Sequence, residues 1–91
     1  TTKHIIDVND ILYIEALKDY SKVVTISKKI MTLSKLKHFM EKMPKEQFVR
    51  IHRSYAVAVQ KITMIKKDEI YIQSVQLPVG KTFKNTLHVK I

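Results

Sequence analysis

The sequence predicts a mostly β domain of short antiparallel strands in a few small sheets, with one short α-helix at about residues 34–43. Three observations point there. Isoleucine, valine and threonine supply 28 of the 91 residues and recur in short runs divided by charged pairs, a composition suited to pleated, half-buried surfaces. One glycine, Gly80, and two prolines, Pro44 and Pro78, leave no linker or low-complexity stretch, so residues 1–91 read as a single domain. The apolar spacing lengthens to three or four residues at one place only, between Thr32 and Pro44.

In chain order, residues 4–8 form the first candidate strand, followed by a turn at Asn9-Asp10 and a second strand over 11–17. Lys18-Asp19-Tyr20-Ser21 breaks the pattern as a loop; strand character resumes at 23–26, turns at a Lys28-Lys29 tip and returns at 30–32. Leu33, Leu36, Phe39, Met40 and Met43 then fall on one face of the helix, with Thr32 or Ser34 able to cap its first N–H groups and Pro44 ending it. This stripe is expected to pack into the core, and the opposite side, with Lys35, Lys37, His38 and Lys42, to face solvent. Strands follow at 48–51, 56–59, 61–66, 69–74 and 76–79, with Lys67-Asp68 as a hairpin turn, and a short basic segment over 81–89 closes the chain.

The charge balance limits the partners. Lys+Arg number 17 against 8 Asp+Glu, a formal net charge of +9, which calls for a polyanion: nucleic acid, an anionic membrane surface or an acidic protein. Apolar runs such as Ile11-Leu12-Tyr13-Ile14 are too short to span a bilayer or to form a signal-peptide core, and no amphipathic stretch outside the helix sets an apolar patch beside the lysines, so no membrane partner is expected. The absence of cysteine excludes a disulfide framework and fits a reducing cytoplasm. The chain does not start with methionine, and a domain on its N-terminal side is expected in the full protein.

Catalytic and cofactor chemistry is not expected. The four histidines are scattered without acids at ligand spacing, so no metal site is foreseen, and a single glycine cannot build a Gly-rich phosphate cradle for a nucleotide cofactor. Ser54 and His52, two apart on a strand, could meet, yet no acid stands as the third member of a nucleophilic triad.

Placement of arginine is the sharpest signal. A chain with fifteen lysines has two arginines, and both sit in Arg50-Ile51-His52-Arg53. The planar guanidinium can grip phosphate or the O6/N7 edge of guanine with two hydrogen bonds, which an ammonium cannot reproduce. Structural roles stay open beside that reading: Arg50 tied to a carboxylate such as Glu15, and Arg53 covering a strand edge with its stem.

The run Phe48-Val49-Arg50-Ile51-His52-Arg53-Ser54-Tyr55-Ala56-Val57 closely resembles the signature of the LytTR family of bacterial DNA-binding domains. Ile11-Leu12-Tyr13-Ile14-Glu15-Ala16 with Asp19-Tyr20, Leu36-Lys37 to Met43-Pro44, Lys61-Ile62 and Leu77-Pro78-Val79-Gly80-Lys81-Thr82-Phe83-Lys84 resemble further blocks in family order. The resemblance implies the output domain of a transcriptional response regulator, binding double-stranded DNA sequence-specifically by inserting loops and strand ends into successive major grooves. It further implies an N-terminal receiver domain, two copies on direct repeats, and a cytoplasmic location.

Three loop regions carry the implied contacts: Lys18, Ser21 and Lys22; Arg50, His52, Arg53 and Ser54; and Lys81, Thr82 and Lys84. Arg53 falls where family members read a base, while Arg50 and His52 either touch DNA or buttress their loop. The family often has arginine where Lys81 stands, so Lys81 is expected on phosphate or groove wall as readily as on a base. Gly80 is expected to supply either a positive φ or a close backbone approach, and Glu15 to hold Arg50, His52 or a backbone N–H. The alternative reading is a basic module docking an acidic protein or anionic surface without sequence readout.

Overall fold

The computed structural model describes residues 5–90, which form two antiparallel sheets. Strands β1 (Ile11–Ala16), β2 (Ser21–Thr25), β3 (Lys29–Thr32), β4 (Phe48–His52) and β5 (Tyr55–Ala58) make the larger, in the order β3-β2-β1-β5-β4. The smaller is a meander of β6 (Ile62–Ile65), β7 (Glu69–Ile72) and β8 (Val75–Pro78). Helix α1 (Leu36–Lys42) joins β3 to β4, and α2 (Lys84–Lys90) closes the described chain. The mostly β class expected from composition is the observed one.

Side-chain alternation divides the apolar residues between two cores, one on each face of the large sheet. On one face Ile14, Val23, Ile30, Phe48 and Ala56 meet Leu36 and Met43, with Phe39 and Met40 of α1 packed against them. On the other, Leu12, Val24, Val49, Ile51 and Val57 meet Ile70, Ile72 and Leu77 of the small sheet, together with Val79 and Leu87. Being central, β1 is buried on both sides, hence its unbroken apolar run. A register shift between Ile11 and Tyr13 lets Ile11 and Ile14, three apart, enter the same core.

Several local expectations are corrected. No strand forms over 5–8: residues Val8–Asp10 make a 3-10 turn, in which the Asp7 carboxylate accepts the Asn9 N–H at 2.9 Å, and Ile5 is 97% exposed. His4 lies outside the described residues. The β2–β3 tip falls at residues 26–28, because the Thr25 hydroxyl accepts the Lys28 N–H at 3.0 Å and donates to the Lys28 carbonyl at 3.0 Å. Helix α1 is shorter than 34–43 and begins without a side-chain cap; Thr32 Oγ1 accepts instead from Ser34 N–H in the preceding turn.

The single expected helix is joined by a second. Within the basic closing segment, Lys81–Phe83 makes a 3-10 turn that runs into α2, whose Leu87 is 4% exposed and inserts into the core shared with the small sheet. Among the described residues no helix is long and apolar enough to cross a membrane. The molecule is elongated, with extents of 42 × 23 × 21 Å.

Candidate nucleic-acid interface

Three loops converge at one end of the large sheet: residues 17–20 between β1 and β2, the Arg53-Ser54 tip between β4 and β5, and residues 79–83 between β8 and α2. Two backbone hydrogen bonds join them. Ala16 N–H donates to the Ser54 carbonyl at 2.7 Å, tying the first loop to the tip, and Gly80 N–H donates to the Ile51 carbonyl at 2.7 Å, tying the third loop to the strand leading into the tip. The tip therefore sits between the other two loops, held on both sides.

Gly80 provides the close approach, not the positive φ. Its backbone is extended (φ −71°, ψ 149°), while a Cβ there would stand 3.1 Å from the Phe83 ring and 3.8 Å from His52 Cα. Phe83 N–H donates back to the Gly80 carbonyl at 2.9 Å, fixing the turn that carries Lys81 and Thr82 into solvent.

Arg50 is a brace for the tip. Its Nε donates to the His52 carbonyl at 3.3 Å and its Nη2 to the Arg53 carbonyl, so one fork spans the peptide groups that define the turn. The expected Arg50–Glu15 pair does not form. Val49 and Ile51 face the small sheet, so Arg50 between them faces the α1 side, whereas Glu15 lies opposite Tyr55 and Lys22 in the strand register. Glu15 instead pairs with Lys22 Nζ at 2.9 Å and accepts from the Tyr55 hydroxyl at 3.2 Å.

This cross-strand cluster shifts two proton affinities. Burial, reinforced by the Glu15 carboxylate, pushes the Tyr55 phenol above its ordinary value. The hydrogen bond to Glu15 raises the Lys22 ammonium. Tyr55 also stacks edge-on to Tyr13 (ring centroids 6.3 Å apart) and tilts against His52 (5.8 Å), packing the base of the tip.

His52 Nδ1 accepts the Ser54 backbone N–H at 3.1 Å, which answers how these two residues meet: through the main chain, shaping the turn, and not through the serine hydroxyl. Arg53 is exposed at the apex, between β4 and β5.

The remaining candidates divide by accessibility. Lys18, Lys81 and Thr82 are exposed on the joined loops. Ser21 is not in the loop; it pairs with Ala16 and Thr32 inside the sheet and is 0% exposed, with its Oγ unpartnered, so it cannot meet a base in this conformation. Lys22 is engaged by Glu15. Lys84 is engaged by Asp68 at 2.5 Å, which links α2 to the β6–β7 turn and holds the Asp68 carboxyl below its usual range. Sequence reasoning missed Tyr55 as a partner of Glu15; they stand 40 residues apart, and only strand register brings them together.

Fold and surface define a small β-rich domain whose specialised end is a set of joined loops bearing exposed cations, a surface for a polyanion. Comparison with known proteins agrees. Residues 2–91 match the profile of the LytTr DNA-binding domain family, and the chain belongs to that family, which is one of DNA-binding domains and not of enzymes. It is similar to an uncharacterized response regulatory protein of Vibrio cholerae serotype O1, with 30% identity over 94% of this chain. The chain spans only 36% of that protein's length. A solved LytTr DNA-binding domain from Bacillus cereus has the same fold, with a TM-score of 0.87 and 22% identity over 93% of this chain and 84% of that one.

Proposed function

We propose that this domain, spanning residues 1–91 as one unit, is the output module of a transcriptional response regulator and reads double-stranded DNA sequence-specifically by setting its loops and strand ends into successive major grooves. The observation that carries this reading is the joining of three loops through Ala16–Ser54 and Gly80–Ile51 hydrogen bonds, with Lys18, Arg53 and Lys81 exposed on them. Cations held on a fixed frame can be selective, whereas scattered mobile lysines give affinity alone.

Arg53 is the base reader in this account. Its guanidinium at the tip can fork onto guanine, worth ~1–3 kcal/mol of discrimination. Lys18 and Lys81 serve phosphates or groove walls, Thr82 offers a hydroxyl beside Lys81, and Lys84 reaches phosphate only on leaving Asp68. Arg50, His52 and Ser54 act by fixing the turn. In the full protein a receiver domain precedes this one in the cytoplasm, and two copies occupy direct repeats.

The test is selection of bound duplexes from a random library, with the winner compared to scrambled duplex over a salt series. A recovered motif and a specificity ratio of ~10³ or more are expected. No enrichment, with affinity that merely vanishes as salt rises, would favour the basic docking module instead.

A further inference from the structure

The outer face of α1 read from sequence as solvated carries a second feature. A cleft of about 260 Å³ lies between residues 16–20 and the start of α1, lined by Lys18, Lys35, Lys37 and Arg50, with Asp19 as its one carboxylate and Tyr20 on its wall. Lys18, Lys35 and Lys37 are exposed, and the ion pairs found among the described residues, Lys22–Glu15 and Lys84–Asp68, involve none of them. Four cations around one small opening repel one another unless an anion fills it.

We propose that this cleft is a phosphate clamp, taking one phosphodiester of the DNA backbone beside the groove entered by the tip. The proposal rests on the DNA-binding reading and extends the contact surface from the loops to α1, through Lys35 and Lys37. Arg50 gives the clamp its consequence. The residue that lines the cleft also holds the carbonyls of His52 and Arg53, so a phosphate seated there lies beside the brace of the tip. Phosphate contact and base reading are thereby in register.

The experiment compares the unaltered domain with Lys35→Gln/Lys37→Gln and with a charge-matched control, Lys28→Gln/Lys29→Gln, at the opposite end of β2. All four lysines are exposed, so the fold is retained, which circular dichroism checks. For the cleft variant, affinity for selected and scrambled duplex falls equally, on the order of tenfold, the scale of a charged hydrogen bond. The slope of log K against log salt becomes shallower by ~0.9, one phosphate. The control keeps the slope of the unaltered domain. Equal behaviour of the two variants would overturn the clamp while leaving DNA binding intact; failure of the unaltered domain to bind any duplex would overturn the functional reading and the clamp together.

Discussion

Replacing Arg50 by lysine keeps the charge and removes the fork. In the structure that fork makes two hydrogen bonds, to the carbonyls of His52 and Arg53, and an ammonium on a lysine stem can replace one at most. A hydrogen bond from a charged donor contributes ~1.5–3 kcal/mol, and the half-exposed setting of Arg50 argues for the lower end. The tip should therefore loosen by about 1.5 kcal/mol, roughly tenfold in the equilibrium between the formed and the open turn that presents Arg53. The assay is titration of selected and scrambled duplexes at several salt concentrations, with urea unfolding alongside. Arg50→Lys should lower the specificity ratio by up to about tenfold, with a smaller loss of scrambled-duplex affinity through the cleft and an unchanged salt slope. An unchanged ratio would mean that the guanidinium does not hold the reading geometry.

Four further outcomes follow from the same contacts. Arg53→Ala, at an exposed apex, should leave stability untouched but flatten preference at one base position by ~1–3 kcal/mol, read by repeating the selection. Asp68→Asn releases Lys84 and should tighten binding to all duplexes alike, with a steeper salt slope; because Lys84 lowers the Asp68 carboxyl, the pair's stabilisation is present above the ordinary carboxylate range and is lost as pH falls through the lowered value. Tyr55 and Lys22 are both raised from ordinary values of 10.0 and 10.5, so their contribution is complete below those values and lost as pH rises above them; Glu15→Gln should blunt that alkaline loss in pH-dependent melting. Leu87→Ala should cost ~2–5 kcal/mol in denaturant unfolding, since its side chain anchors α2 in the core.

How much of this was legible in the sequence follows from the range of the interactions. Strands from Ile11 to Ala16 and from Phe48 to His52 announced themselves through short apolar or alternating stretches, and the α1 stripe from Leu36 to Met43 through its three-to-four spacing, because these are local patterns; Leu33, expected in the same stripe, precedes the helix and is 73% exposed. Helix α2 was not announced: seven residues that include β-branched Thr86 and Val89 and a single buried anchor, Leu87, carry little periodic signal, and docking against the sheet decides the outcome. The three loop regions were legible through the family resemblance, but their joining was not, since it depends on backbone groups of Ala16, Ile51, Ser54 and Gly80 that leave no side-chain trace. Ser21 shows the complementary failure. A small polar residue next to a loop reads as surface, and only the pairing with both Ala16 and Thr32 places it inside the sheet.

The central claim is that the joined loops form one DNA-reading surface, and its most direct test is an amide NMR titration of the domain with its selected duplex. The largest shifts are expected in residues 17–20, 52–55 and 79–83, moving together with a single affinity, while the β2–β3 tip at residues 26–28 stays unperturbed. Shifts centred on that distant tip or on the β6 edge, with the three loops silent, would contradict it.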